Sequence, residues 1–143
     1  MLEIHLVVYD ATYRPHIQHI REKVFISEQA VAPELEFDGL DEQALQLLLA
    51  VDNHYVGTGR MLSDGRIGRI AILKEFRGQG LGAKMMRALI NTAQARGYSR
   101  VYLGAQTHAV DFYAKLGFTP YGEEFMDAGI PHLSMEYIVK AKE

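Results

Sequence analysis

The chain has 143 residues, enough to bury a real core as one domain, residues 1–143, without covalent staples. Its composition is ordinary for a soluble globular protein, 48% hydrophobic and 23% charged, and a formal net charge of -3 supplies no basic field for nucleic acid. It has no cysteine, which excludes disulfides, thiolate metal sites and cysteine nucleophiles.

The first residues carry no basic region, and their apolar run is too short to span a bilayer. A cytoplasmic protein with no membrane partner is therefore expected. Residues 3–9, EIHLVVY, alternate as a strand with Ile4, Leu6 and Val8 on one face. From Tyr13 to about Glu28 the apolar residues Ile17, Ile20, Val24 and Phe25 recur at helical spacing, with Thr12 as the expected cap. The segment QAVAPELEFDGLDEQ reads as an acidic loop. Residues 44–51 and 55–62 are apolar runs separated by DNH, the pattern of a hairpin, and SDG turns the chain into RIGRIAIL.

After the glycine turn, Leu81, Met85, Ala88, Leu89 and Thr92 mark a helix that ends near Arg96, with Gly97 closing it. RVYLGA is a further strand, THAVDFYAKLG a short helix, and FTPYGEEFM with PHLSMEYIV a closing hairpin around DAGI. The terminal VKAKE reads as a frayed tail. The order is β-α-β-β-β-α-β-α-β-β, a mixed and mostly antiparallel α/β sheet. One parallel pair is expected across the second helix, with helices on both faces. His16 and His19 have a chelating spacing but no evident third ligand, so no metal is expected.

The chemistry concentrates in EFRGQGLGAKM, residues 75–85. The first amides of a helix lack intrahelical acceptors, the helix end carries partial positive charge, and glycines let a bulky anion approach. Arg77 and Lys84 add charge. A phosphate-bearing ligand fits, although such a turn can also be purely structural. A P-loop needs Ser or Thr after its lysine, where this chain has Met85. A dinucleotide fingerprint needs an acidic residue about 20 positions on, and QARGYSRVYL supplies none.

Arg77-Gly78-Gln79-Gly80-Leu81-Gly82 follows a short apolar strand in the form Q/R-x-x-G-x-G. It resembles the pyrophosphate-binding motif of the GNAT superfamily of acetyl-CoA-dependent N-acyltransferases. Gln106 to Phe118 resembles that superfamily's later segment, with Gln106 where asparagine is usual. VFISEQAVAPELEFDGLD and GEEFMDAGIPHLSMEY resemble the small bacterial YjcF-type branch. The resemblance implies a GNAT-like acyl-CoA N-acyltransferase fold with acetyl-CoA as donor. Two strands would splay around the thioester arm. Ile70, Ala71 and Ile72 would pair with the pantetheine by backbone, and Arg77 through Ala83 would cradle the pyrophosphate. Gln106 and Phe112 would complete the coenzyme site. A homodimer is common in that superfamily.

Acyl transfer requires an amine that loses a proton and a thiolate that gains one. Tyr113 is the candidate acid, a phenol still protonated at neutral pH, with packing against Phe112 and Phe118 as its alternative role. His132 is the candidate base, with a structural role or a water chain as alternatives. Glu28, Glu34, Glu36 and Asp38 are candidate contacts for a small-molecule amine, and an acidic pocket would favour a cationic one. A non-catalytic acyl-CoA sensor and a nucleotide-binding protein are the competing classes.

Overall fold

The computed structural model of the chain describes residues 1–140. Strands β1 (Leu2–Val7), β2 (Leu45–Val51), β3 (His54–Met61) and β4 (Ile67–Ile72) form an antiparallel sheet in that order. β2 is apolar at nearly every position because both its faces are covered. Leu48 packs with Ile17 and Ile20 of helix α1 (Arg14–Arg21), whereas Leu47 and Leu49 join the core on the opposite face. The short α2 (Pro33–Glu36) lies in the loop before β2. Helix α3 (Leu81–Ala95) seals that opposite face with Met85, Met86, Leu89 and Ala93. It ends as its glycine suggests: Gly97 has φ +80°, and the Gly97 and Tyr98 amides donate to the Gln94 and Ala93 carbonyls.

The second sheet holds β5 (Arg100–Gln106), β6 (Thr119–Pro120), β7 (Phe125–Asp127) and β8 (Ile130–Ile138), with helix α4 (Val110–Lys115) between β5 and β6. β8 is central, pairing with β5 on one side and with β6 and β7 on the other. The expected single strand FTPYGEEFM is thus two short pieces. Gly122, at φ +81°, breaks it.

Four further expectations are corrected. The parallel pair across α3 shrinks to one bridge, Arg66 with Tyr102, and the strands lie in separate sheets. Thr12 does not cap the first helix; Asp10 Oδ1 accepts the amides of Thr12 and Tyr13. That helix is regular only to Arg21, and Glu22–Glu28 winds on as a wider π-helix. The stripe Ile4, Leu6 and Val8 lies 36%, 47% and 65% exposed. Ile4 and Leu6 sit opposite Leu49 and Leu47, on the face α3 covers, but α3 packs on β2, β3 and β4 and stops short of the edge. At the far end Val139 is buried and its amide donates to Ser99, so order extends into the expected tail; residues 141–143 lie outside the described residues.

Candidate active site between the two sheets

Past the Arg66–Tyr102 bridge, β4 and β5 diverge around a cleft of about 1100 Å³. A bulge in β4 accompanies the divergence. The pairs Thr58–Ala71 and Arg60–Gly68 leave Gly59 facing both Arg69 and Ile70, and Arg69 takes φ +55°. A side chain at Gly59 would meet Ile70 Cδ1 at 2.6 Å, so anything larger than glycine opposite the bulge would have to push the Ile70 side chain aside. Among the described residues, the outer backbone edge of Ile70, Ala71 and Ile72 has no strand beside it.

The turn after β4 supplies the amides. Gly78 and Gly80 hold φ +78° and +77°, a conformation that glycine takes without strain. Among the described residues, no amide from Gly78 to Ala83 donates to a protein acceptor, and the first turn of α3 contains no acid. These donors and the helix dipole make an anion site. An added Cβ at Gly82 would lie 3.3 Å from the ring of Phe112, which stands over the turn. Ile70, Ala71 and Ile72 line the cleft, as do Gly78, Gly80, Leu81 and Gly82; Gln79 and Ala83 lie outside its lining.

Two expected coenzyme residues are tied to the π-helical segment. Arg77 Nη1 and Nη2 donate to Glu28 at 2.6 and 2.7 Å, and its Nε donates to the Ile72 carbonyl at 2.9 Å. The Arg77 hydrogen bonds hold the Glu28 carboxyl below its ordinary value. Gln106 Nε2 donates to Gln29 Oε1 at 2.9 Å. Glu28 and Gln29 therefore link the end of the widened helix to both walls of the cleft.

Tyr113 and His132 both face this space. The Tyr113 ring packs edge-on against Phe112 and Phe118, at centroid distances of 5.0 and 5.8 Å. Its hydroxyl has no protein hydrogen bond, and no buried side-chain nitrogen or oxygen lacks a partner among the described residues, so the hydroxyl opens to the cleft. Burial pushes its pKa up to about 12. His132 lies opposite Gln106 and stacks on Phe125 at 5.6 Å. Its Nδ1 is 2.7 Å from the Ile130 carbonyl; a carbonyl only accepts, so Nδ1 carries a proton and the neutral ring has its lone pair on Nε2.

The acidic loop is neutralised from beneath by residues that the sequence reading missed. Arg21, fully buried, donates to Glu36 at 2.7 Å and to Asp41 at 2.6 Å. Arg60 donates to Asp38 at 2.9 and 2.6 Å and to Asp41 at 3.0 Å, and Arg69 reaches Glu36 and Asp38. The Arg60 hydrogen bonds hold Asp38 far below the usual carboxylate range, whereas burial pushes Glu36 up against its arginines. Glu36 and Asp38 therefore line the cleft as matched charges, and Glu34 is exposed outside it. The signal was available for Arg21. It falls four residues after Ile17 and three before Val24, on the apolar stripe. Among the described residues, no group of three or more His, Asp or Glu side chains could hold a metal ion, and no helix is long and apolar enough to cross a membrane.

Residues 11–139 match the family model of the acetyltransferase (GNAT) domain. The chain belongs to that family. Over 121 residues it is 42% identical to YjcF, an uncharacterised N-acetyltransferase of Bacillus subtilis strain 168, covering 82% of this chain and 86% of that one. The structure of Escherichia coli ElaA superposes with a TM-score of 0.86 at 28% identity, covering 96% of this chain and 99% of the other. An acyl-CoA N-acyltransferase from Pseudomonas aeruginosa gives a TM-score of 0.85, also at 28% identity and with the same coverage. The splayed β4 and β5 and the glycine turn belong to a GNAT acyltransferase fold, and the chain falls with a small bacterial branch of it.

Proposed function

We propose that the protein transfers an acetyl group from acetyl-CoA to a primary amine on a small molecule, in the cytoplasm, by direct attack within a ternary complex. The observation that carries this reading is the run of undonated amides from Gly78 to Ala83, opening onto a free strand edge that leads to Tyr113. Those amides, including Gln79 and Ala83, suit the pyrophosphate. The edge of Ile70, Ala71 and Ile72 suits an extended arm that pairs as an added strand. Arg77 and Gln106 contribute from the two walls, and Phe112 covers the turn.

In the reaction the amine nitrogen bonds to the thioester carbonyl carbon, the carbon–sulfur bond breaks, one amine proton leaves, and the sulfur gains one. His132 Nε2, with its lone pair free, takes the amine proton directly or through water. The Tyr113 hydroxyl faces the departing sulfur. With its pKa near 12 against a thiol near 8.5, complete transfer from the resting phenol is uphill by about 5 kcal/mol. Its contribution is a hydrogen bond to the developing thiolate, with the proton passing as the charge forms. Glu28 and Asp38 reach the amine only as partners of Arg77 and Arg60. Glu34 and Glu36 stand further back.

Titration calorimetry with acetyl-CoA, ATP and NADH in parallel tests the coenzyme. Micromolar binding of acetyl-CoA alone, about -8 kcal/mol, is expected. Acetyl-CoA binding with no amine-dependent thiol release across a broad amine panel supports the acyl-CoA sensor instead. Binding of ATP or NADH without acetyl-CoA overturns both.

A further inference from the structure

The cleft lining holds one arginine, Arg66, and one acid, Asp127, that form no ion pair among the described residues, although the Tyr102 hydrogen bond and the Arg66 charge help hold neighbouring Asp64 below its ordinary value. Arg66 lines the cleft, is exposed, and has no carboxylate within 4.0 Å and no side-chain hydrogen bond among the described residues. Asp127, on the hairpin of β7, likewise lines it without an ion pair. The other acids of the lining are taken: Glu28 by Arg77, Glu36 by Arg21 and Arg69, and Asp38 by Arg60 and Arg69.

Arg69, three residues on from Arg66, adds a second donor. Its Nε and Nη2 bind Glu36, Leu35 and Asp38, but Nη1 has no partner among the described residues. Because no buried side-chain nitrogen lacks a partner among the described residues, Nη1 reaches solvent. The strained φ of +55° at Arg69 fixes this side chain on the bulge. Burial lowers its pKa against the raising pull of Glu36 and Asp38, and the nearby Arg60 and Arg21 lower it as well. Leu35, Leu40 and Leu62 also line the cleft.

We propose that Arg66 and the free Nη1 of Arg69 form an anion subsite, so that the acceptor is an amine that also carries a carboxylate or a phosphate. Asp127, across the cleft, is left to meet its ammonium group. The proposal rests on the acyl-transfer reading and reverses the expectation of a purely cationic acceptor. Guanidinium donors bind either anion in the same way, and the apolar walls suit a substituent such as a leucine side chain.

The test is calorimetric and does not need turnover. The protein saturated with coenzyme A is titrated with L-leucine and leucinamide, and with O-phosphoethanolamine and ethanolamine. At least one of the two acid-bearing amines is expected to bind about 10-fold or more tighter than its counterpart without the acid group, and Arg66→Gln is expected to erase most of that ratio while the melting temperature holds. Arg69 is built into the ion-pair network and its replacement endangers the fold, so the exposed Arg66 is the residue to change. Tighter leucine alone identifies a carboxylate, tighter phosphoethanolamine alone a phosphate. Equal or weaker binding of both acid-bearing amines, no binding of any of the four, or a ratio unchanged in Arg66→Gln overturns the subsite. Failure of coenzyme A itself to bind counts against the acyltransferase reading and is seen in the first titration.

Discussion

At the scale of one residue, Tyr113→Phe removes a proton donor and almost no packing, because the hydroxyl has no protein partner and the ring keeps its contacts with Phe112 and Phe118. General acid assistance is worth about 10²–10⁴ in rate, so kcat is expected to fall about 100-fold or more with acetyl-CoA affinity within about 2-fold. Equal losses in both would make the tyrosine a packing residue. The pH profile gives a second check on the same atom. A phenol near 12 stays protonated as pH rises, so kcat is expected to show no descending limb up to about pH 10. A limb centred near 10 that disappears in Tyr113→Phe would show a phenol better solvated than its surroundings imply.

At the scale of the element, the glycine turn and α3 act as one device, and Gly82 separates its backbone role from its steric one. An alanine Cβ lies 3.3 Å from the edge of Phe112, an exposed ring that can shift by tenths of an ångström. Gly82→Ala is therefore expected to change the melting temperature little and coenzyme affinity modestly. Gly82→Glu brings a carboxylate to the undonated amides and is expected to weaken acetyl-CoA binding at least about 100-fold, the ratio that about 2.7 kcal/mol produces. Calorimetry on both variants decides it; retained affinity in the glutamate variant would place the pyrophosphate elsewhere.

These local devices were legible in the sequence because their causes are local. Gly78, Gly80 and Gly97 are dictated by positive φ, and Met85 and Leu89 by helical period. What escaped depends on distant partners. Arg60 looks like a surface charge until the loop folds over it, the stripe position of Arg21 marks its burial but not its partners, and the bulge at Arg69 shows only in the register against Gly59. Alternation puts Ile4 and Leu6 on one face, but only the reach of α3 decides whether that face is covered. In the site, the glycine motif identified the anion cradle, whereas the pairing of Glu28 with Arg77 joins residues 49 apart in the chain.

At the scale of the whole molecule, the arginine–carboxylate network joins α1, the loop around α2, β3 and β4, so the wall of the cleft is also a clamp between elements. Its response to acid follows from the signs. Asp38 and Asp41 have folded-state values below the ordinary range: Arg60 hydrogen bonds depress Asp38, and at Asp41 Arg21 and Arg60 outweigh a large burial penalty. Each contributes stability that is complete above about pH 4 and is lost as pH falls toward its folded value. Glu36 runs the other way, since burial raises it above its unfolded value, so protonation relieves a cost as pH falls. Two depressed groups oppose one raised group, and net acid destabilisation below about pH 4 is expected. Asp38→Asn isolates one contribution. At pH 7 it should lower the unfolding free energy by about 2 kcal/mol, the usual worth of hydrogen bonds to a charged partner. At pH 3 the unfolded wild-type chain binds a proton at Asp38 that the folded chain does not, so the difference between the two proteins should shrink. Urea unfolding at pH 7, 5, 4 and 3 reads this directly. A difference that stays constant over that range would mean that Arg60 binds Asp38 no more tightly in the folded chain than solvent does in the unfolded one, and the clamp would have to rest on Asp41 and Glu36.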